Sequence, residues 1–210
     1  MNADFLDRDP AHGERSALFQ NQGYLVVAGL IEQALAHFLW SYVHTKFASR
    51  LLQLGDDQVA SAPRDYGDPA FDGLLEYLRP RVEKCTGLAL HPTYSYFRLY
   101  KSGDVLPRHR DRPACEISVS LNVGQLPADQ PWPLSVEAHD SVYQARLSPG
   151  DALVYRGVDH VHWRDAYAGN RLVQVFLHYV DRNGPHGKLR FDGRPSLMRP
   201  RLQGESQETH

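Results

Sequence analysis

The second half of the chain is a succession of short segments in which apolar and polar residues alternate, and this pattern restricts the possible folds most strongly. Period-two alternation predicts strands over 94–101, 115–123, 133–138, 142–147, 151–156 and 171–180. Turn residues separate these segments, among them Gly103, Gly124 and the Pro149-Gly150 pair. A series of strands joined in this way predicts an antiparallel sandwich.

The first half of the chain has the apolar spacing of helices. The pattern predicts a short helix over 16–22, a strand over 24–27 and a long helix over about 31–52. Asp68 and Pro69 are typical of a helix start, whereas Pro80 is expected to kink or break that third helix. Helices packed on one face of a sandwich give an α+β fold class that is mainly β.

Length and composition are those of one soluble globular domain. The chain has 210 residues, of which 42% are hydrophobic and 23% are charged, enough for one sizeable core. A formal charge of −2 provides no field that would recruit nucleic acid, and no apolar run approaches membrane-spanning length. Two cysteines and a polar, acidic N-terminus indicate a cytoplasmic protein without a disulfide framework or a secretory signal.

The domain boundaries follow from the loss of core candidates at both ends of the chain. Residues 1–13 are predicted to be disordered, and 14–181 to form a single domain with a helical buttress (14–90) and a β core (91–181). Residues 182–210 contain six Lys or Arg against three Asp or Glu, and they are predicted to form a flexible basic tail. A functional lid is the less favoured alternative for this tail.

An imidazole and a carboxylate stand two residues apart in the sequence PRHRD. On an extended segment such residues point to the same side, so His109 and Asp111 can face one cation. About one such pair is expected by chance in this composition, so the pair needs a third ligand from another strand. Two histidines and one carboxylate on one face of an ion are the ligand set of non-haem Fe(II) oxygenases.

Two later histidines, in the sequence VDHVHWRD, are candidates for the third ligand. His162 is preferred, with His160 as the alternative, because Arg171 follows His162 after nine residues and an intervening turn. Arg171 opens an apolar run that is expected to be buried, where a charge needs a partner such as the carboxylate of a ligand. Arg164 is the next candidate for this anchoring role.

At these motifs the chain resembles the Fe(II)- and 2-oxoglutarate-dependent dioxygenases, in their prolyl-4-hydroxylase-like branch. The resemblance covers about residues 94–181 and rests on RLYKSGDVLPRHRD, ISVSLN, SPGDALVYRG and HWRDAYAGNR followed by LVQVFLHYV. It implies a double-stranded β-helix, or jelly roll, buttressed by the N-terminal helices.

The resemblance also assigns roles to single residues. His109, Asp111 and His162 match the metal ligands of the family. Arg171 matches the basic residue that binds the distal carboxylate of 2-oxoglutarate, and Tyr100 resembles a tyrosine that contacts the same cosubstrate.

Other residues receive weaker assignments from the resemblance and from strand alternation. Ser120 shares a polar, barrel-facing strand face and falls near a position where relatives use a larger polar side chain. Arg110 can face a substrate or solvent, and Tyr155 and Trp163 can line the mouth of the site or pack the barrel end. His178 lies on the strand face opposite the predicted anchor and is expected to be structural.

The function that the resemblance implies is hydroxylation of a C–H bond with release of succinate and CO2. The implied cofactors are Fe(II), 2-oxoglutarate and O2, and the implied partner is an amino acid, a peptidyl side chain or a small metabolite. One alternative is a cupin-like metal enzyme that does not use 2-oxoglutarate, in which Arg171 would lack a purpose. The other is a non-catalytic jelly-roll binding domain, which the loss of a metal ligand would indicate.

Overall fold

The computed structural model describes residues 12–138 and 141–198, and two antiparallel sheets dominate them. The helices are α1 (His12–Gln22), α2 (Gln33–Ala48) and α3 (Pro69–Thr86). The strands are β1 (Tyr24–Val27), β2 (Gln53–Leu54), β3 (Pro63–Tyr66), β4 (Leu90–Lys101), β5 (Leu106–His109), β6 (Ile117–Leu126), β7 (Leu134–Ala138), β8 (Ser141–Ala145), β9 (Ala152–Arg156), β10 (His162–Arg164) and β11 (Arg171–Asp181). Short 3-10 segments lie at Pro113–Cys115 and Gly187–Gly193.

Local sequence signals set the boundaries of α3. The Asp68 carboxylate accepts hydrogen bonds from two backbone amides of the first turn, and Pro69 occupies the position where a missing amide costs nothing. Gly87 ends the helix in the left-handed conformation, with φ +71°. The predicted break at Pro80 is wrong, because the helix continues past it to Thr86. Among the described helices, none has the length and apolar character needed to cross a membrane.

The strands are distributed over two sheets. The larger sheet has the strand order β1-β9-β6-β11-β4-β3-β2, and the smaller sheet has the order β5-β10-β7-β8. From β4 onward the chain passes repeatedly from one sheet to the other, so that strands distant in sequence become neighbours. This is the topology of a double-stranded β-helix, and it confirms the predicted fold class.

The larger sheet is buried on both faces. Its outer face packs against the helices, and on β11 the residues Val173 and Val175 belong to this core. Its inner face meets the smaller sheet, and here Leu172 and Phe176 of the same strand join Tyr100 in a second core. Because side chains alternate along a strand, each residue of β11 faces either the helices or the barrel interior.

The segment after β11 is packed on the domain as far as residue 198, so the prediction of a flexible tail is wrong for this part. Arg194 donates a hydrogen bond to Asp72 at 2.8 Å, and both side chains are buried. Gly67 makes room for this arginine, because a Cβ there would lie 2.6 Å from its Nη1. The remaining tail, 199–210, and residues 1–11 of the predicted disordered N-terminus lie outside the described residues.

Candidate active site

Three side chains predicted to bind a metal meet at one end of the barrel. His109 ends β5, Asp111 follows two residues later, and His162 begins β10. The pairing of these strands sets His162 directly opposite His109. Asp111 Oδ1 lies 3.5 Å from His162 Nε2 and 3.6 Å from His109 Nε2. The structure therefore brings together three groups that could bind one metal ion.

Backbone carbonyls orient both imidazole rings. His109 Nδ1 lies 2.8 Å from the Pro107 carbonyl oxygen, and His162 Nδ1 lies 3.0 Å from that of His160. A carbonyl group only accepts hydrogen bonds, so each Nδ1 carries the proton. Each Nε2 then faces Asp111, where it can donate to the carboxylate when it carries a proton and can bind a metal ion when it does not.

The Asp111 carboxylate is fixed through its second oxygen and through its backbone. Ser118 Oγ donates to Oδ2 at 2.8 Å, and the Asp111 amide donates to the Gly157 carbonyl at 2.9 Å. A Cβ at Gly157 would lie only 2.1 Å from Oδ2, so a glycine is needed at this close approach. Burial raises the pKa of Asp111, but hydrogen bonds from His109 and His162 outweigh burial and hold the pKa below its usual range.

A third histidine, His178, lies behind the carboxylate, a contact that the sequence analysis does not predict. His178 Nδ1 is 3.0 Å from Ser118 Oγ, and its ring centroid is 4.5 Å from that of Tyr94. Burial lowers the pKa of His178 to about 4, so its ring is neutral near pH 7. Side chains alternate along β11 and β6, and this places Ser118 and His178 on the barrel side. Their contact can be predicted only when it is known which residues of each strand face inward.

His160, the alternative third ligand, does not join this cluster. Its Nδ1 lies 3.0 Å from the Glu137 carbonyl oxygen, and its ring packs against Gly23, where a Cβ would lie 2.2 Å from Nε2. The chain becomes extended only at His162, so the rule that residues two apart share a side does not apply to this pair.

Arg171 lies on the wrong face of β11 for the role predicted from its spacing. Its neighbour Leu172 points into the barrel core, so Arg171 points to the helix side. There its guanidinium lies 5.6 Å from the ring centroid of Phe47 on α2. The prediction that Arg171 enters the cavity of the metal ligands is therefore corrected.

Arg164 occupies the barrel interior instead. It is 1% exposed and follows His162 by two residues on β10, so both side chains face inward. Its guanidinium donates to the Trp132 carbonyl and to Gln174 Oε1, while Nε has no hydrogen-bond partner in the structure. Arg164 forms no ion pair with any carboxylate of residues 12–138 and 141–198. Burial lowers its pKa to about 10, which still leaves it charged at neutral pH.

Ser120 faces the barrel, as predicted, and Tyr100 also lies in the barrel core. Ser120 Oγ accepts a hydrogen bond from Gln174 Nε2 at 2.9 Å, and Gln174 in turn accepts from Arg164. The Tyr100 hydroxyl accepts a hydrogen bond from Arg98 Nη1 at 3.2 Å. Ser120 thus supports the buried arginine indirectly, through Gln174.

Of Tyr155, Trp163 and Arg110, the first lies inside the barrel and the other two lie outside it. The Tyr155 hydroxyl lies 3.4 Å from His162 Nε2, so Tyr155 lies beside the three candidate metal ligands. Trp163 lies between two inward residues of β10 and therefore on the outer face, where Arg108 stacks 3.9 Å from its ring centroid. Of the two alternatives given for Trp163, this position does not favour lining of the mouth, and Arg110 is exposed to solvent.

Comparison with known proteins finds similar structures but no matching sequence family. The sequence matches no family model and no curated protein. The structure resembles a Pseudomonas putida prolyl-4-hydroxylase at 17% identity and TM-score 0.67, covering 82% of this chain and 100% of that one. It also resembles the non-haem α-ketoglutarate-dependent epimerase SnoN of nogalamycin biosynthesis, at 13% identity and TM-score 0.70 over 82% of each chain.

A third similar structure is a Trichoplax adhaerens prolyl hydroxylase in complex with a hypoxia-inducible-factor peptide. It is 12% identical, with TM-score 0.67, and the match covers 85% of this chain and 90% of that one. The chain therefore has the double-stranded β-helix fold of the Fe(II)- and 2-oxoglutarate-dependent oxygenases, the fold that the sequence motifs implied and that prolyl-4-hydroxylases share.

Proposed function

We propose that this protein is an Fe(II)- and 2-oxoglutarate-dependent dioxygenase that hydroxylates a C–H bond of an amino acid, a peptidyl side chain or a small metabolite. One observation carries the proposal: a group of two histidines and an aspartate shares the barrel interior with a buried arginine that has no carboxylate partner within residues 12–138 and 141–198. The proposed metal ligands are His109, Asp111 and His162, and the proposed cosubstrate anchor is Arg164.

The donor set fits Fe(II). Two imidazoles and one carboxylate, two of them from one chain segment and the third from β10, match the facial ligand set of non-haem iron oxygenases. Hydrogen bonds to backbone carbonyls and from Ser118 hold the three proposed ligands in place. When bound together, iron, 2-oxoglutarate and O2 would supply the oxidising chemistry: one oxygen atom of O2 would convert 2-oxoglutarate into succinate and CO2, and the other would enter the new hydroxyl group.

The hydrogen-bond donors of the barrel interior suit a dicarboxylic cosubstrate. A guanidinium binds a carboxylate through two parallel hydrogen bonds, and Arg164 retains an unused Nε donor inside the barrel. The Tyr100 hydroxyl accepts from Arg98, so its own proton remains free to donate to a ligand oxygen. Similar folds that contain 2-oxoglutarate together with nickel or Fe(III) support this assignment.

The remaining residues of the site position these groups and exclude water. Gln174 and Ser120 form a hydrogen-bonded chain that fixes the Arg164 guanidinium. Tyr155 is fully buried beside His162 and closes the barrel around the metal ligands. An ion pair formed in such a dry interior is far stronger than one formed at the surface, so Arg164 can hold a carboxylate tightly.

The choice of hydroxylation follows the prolyl-4-hydroxylase resemblance. Among similar folds are also an epimerase and a carbocyclase, so the fold alone leaves the reaction type open. The cupin alternative assigns no purpose to a buried arginine without a carboxylate, and a non-catalytic domain has no need of three oriented ligands. Both features therefore favour the oxygenase proposal over the two alternatives.

The proposal is tested by anaerobic titration of the purified protein with Fe(II) and then with 2-oxoglutarate. We expect a weak visible charge-transfer absorption that appears only when both are present, and no such band in His109→Ala. In air, the same mixture should release succinate faster when the correct substrate is added from a panel of amino acids, peptides and metabolites. Tight metal binding without the band would favour the cupin alternative.

A further inference from the structure

We propose that Asp192 is a positioning residue for the metal ligand Asp111, acting through Arg112. The inference rests on the proposed metal centre. Asp192 belongs to residues 182–198, hereafter the C-terminal strap, which the sequence predicted to be flexible. The strap is instead folded against the domain, and it delivers one buried carboxylate to the chain segment that contains Asp111.

The contact between Asp192 and Arg112 is a bidentate ion pair. Asp192 Oδ1 accepts from Arg112 Nη1 at 2.6 Å, and Oδ2 accepts from Nη2 at 2.7 Å. The Tyr66 hydroxyl donates to the same carboxylate at 2.5 Å. Asp192 is 4% exposed, so its charge depends on these partners. Paired hydrogen bonds of this kind fix orientation as well as distance.

Arg112 transmits this restraint to the metal ligand because it follows Asp111 directly in the chain. Its guanidinium also lies 4.7 Å from the ring centroid of Tyr94, which fixes it from a second side. The Arg112 carbonyl accepts from the Cys115 amide at 2.8 Å and opens the 3-10 segment. The amide of Asp111 is held by Gly157, so the backbone of the ligand is restrained on both of its sides.

The strap has an anchor of its own, separate from Asp192. Arg194 is paired with Asp72 in the interior and donates to the Thr93 carbonyl at 3.0 Å. The Met198 amide donates to the same Asp72 carboxylate at 2.8 Å. Loss of the Asp192 charge should therefore loosen Arg112 without releasing the strap.

The backbone of the strap is bent where it presents the carboxylate. Phe191 and Asp192 have φ values of +59° and +55°, a region that residues other than glycine rarely adopt. Such conformations persist where the surroundings over-determine them, and they cluster at functional sites. The unusual backbone and the ion pair occur at the same residue, which favours a positioning role over simple attachment of the chain end.

The test is a double-mutant cycle read out as Co(II) affinity of the cosubstrate-free protein by calorimetry. Asp192→Asn and Arg112→Gln should each weaken Co(II) binding by about tenfold. This is the lower end of the effect of removing a residue that supports a metal ligand. If Asp192 acts through Arg112, the double variant should bind no more weakly than either single variant. Asp104→Asn is the matched control, because Asp104 is also 4% exposed but is paired with Lys101 away from the metal ligands.

Two results of the cycle would overturn the inference. Asp192→Asn could bind Co(II) as tightly as wild type, or the two losses could multiply to about a hundredfold in the double variant. If wild type itself fails to bind Co(II), the metal centre is refuted together with this inference. Should Asp192→Asn fail to fold, Arg112→Gln decides alone, and wild-type affinity in that variant contradicts the proposal.

Discussion

Arg164 and His162 lie two residues apart on β10 and both point into the barrel, so one short strand supplies a proposed metal ligand and a buried cation to the same interior. Arg171, nine residues beyond His162, lies on the outer face of β11 beside Phe47. The proposed partner for the carboxylate of a ligand is therefore Arg164 and not Arg171.

The two neighbouring histidines of the VDHVHWRD segment should differ sharply in their effect on metal binding. His162→Ala removes a proposed ligand and should abolish stoichiometric binding of Fe(II) or Co(II). His160→Ala should bind metal within about threefold of wild type, because His160 contacts Glu137 and Gly23 instead of Asp111. Calorimetric titration of both variants decides, and the opposite pattern would show that His160 is the ligand.

A single methyl group at Gly157 should displace Asp111. The added Cβ would lie 2.1 Å from Asp111 Oδ2 and 2.7 Å from the Cys115 carbonyl oxygen, so the carboxylate must move. Gly157→Ala should weaken metal binding by about tenfold or more. Gly13→Ala is the control, because its Cβ would meet nothing within 4 Å. Equal metal affinity in the two variants would show that the position of Asp111 is unimportant for binding.

His178 should make the metal-free protein sensitive to mild acid. Its folded-state pKa of about 4 lies below its ordinary value of 6.5 because burial disfavours the charged ring. The unfolded state therefore binds the proton more readily, and the stability that His178 contributes is complete above about pH 6.5 and lost as the pH falls toward 4.

The expected loss can be measured by urea unfolding in the presence of a chelator. Between about pH 7.5 and about pH 5, wild type should lose about 2 kcal/mol more unfolding free energy than His178→Asn. Asparagine is the chosen replacement because it can keep a hydrogen bond to Ser118 without titrating. Parallel pH dependences in the two proteins would show that His178 does not carry this linkage.

The two inward arginines should contribute differently to the stability of the ligand-free protein. Arg98 is paired with Asp56 at 2.6 Å, and removing one partner of such a pair costs about 3–5 kcal/mol. Arg164 has no such partner among the described residues, so Arg164→Leu should cost less than about 2 kcal/mol. Urea unfolding without metal or cosubstrate compares Arg98→Leu with Arg164→Leu. An equal or larger loss for Arg164→Leu would indicate a structural role.

The sequence predicted the fold class and the pairing of His109 with Asp111, because strand alternation and two-residue spacing are local signals. The preference for His162 over His160 rests on its spacing to Arg171, which lies on the other face of β11, so the correct choice of His162 does not follow from that reason. It could not reveal which face of β11 is inward. Val173 and Val175 are buried on one face and Leu172 and Phe176 on the other, so hydrophobicity is equal on both. The residues around Arg171 in the sequence therefore do not show which face of β11 it occupies.

The strap was missed for a different reason. It contains few apolar residues, and the sequence interpretation equated this with disorder. The strap is held instead by ion pairs to Asp72 and Arg112, which lie more than 70 residues away in the chain. Pairing between distant charges leaves no local pattern, since Asp192 and Arg194 resemble surface residues until their partners are known. The short strands β5 and β10 were missed similarly, because four and three residues show little alternation.

The affinity of the iron-loaded protein for 2-oxoglutarate, measured anaerobically in Arg164→Met and Arg171→Met, tests the proposed site most directly. Breaking a buried charge pair costs about 2–5 kcal/mol, so Arg164→Met should bind the cosubstrate roughly thirty-fold to several thousand-fold more weakly than wild type. Arg171→Met should stay within about twofold of wild type, and Fe(II) affinity should be unchanged in both. Wild-type cosubstrate affinity in Arg164→Met, with severe weakening in Arg171→Met, would contradict the proposed anchor and restore the assignment made from spacing.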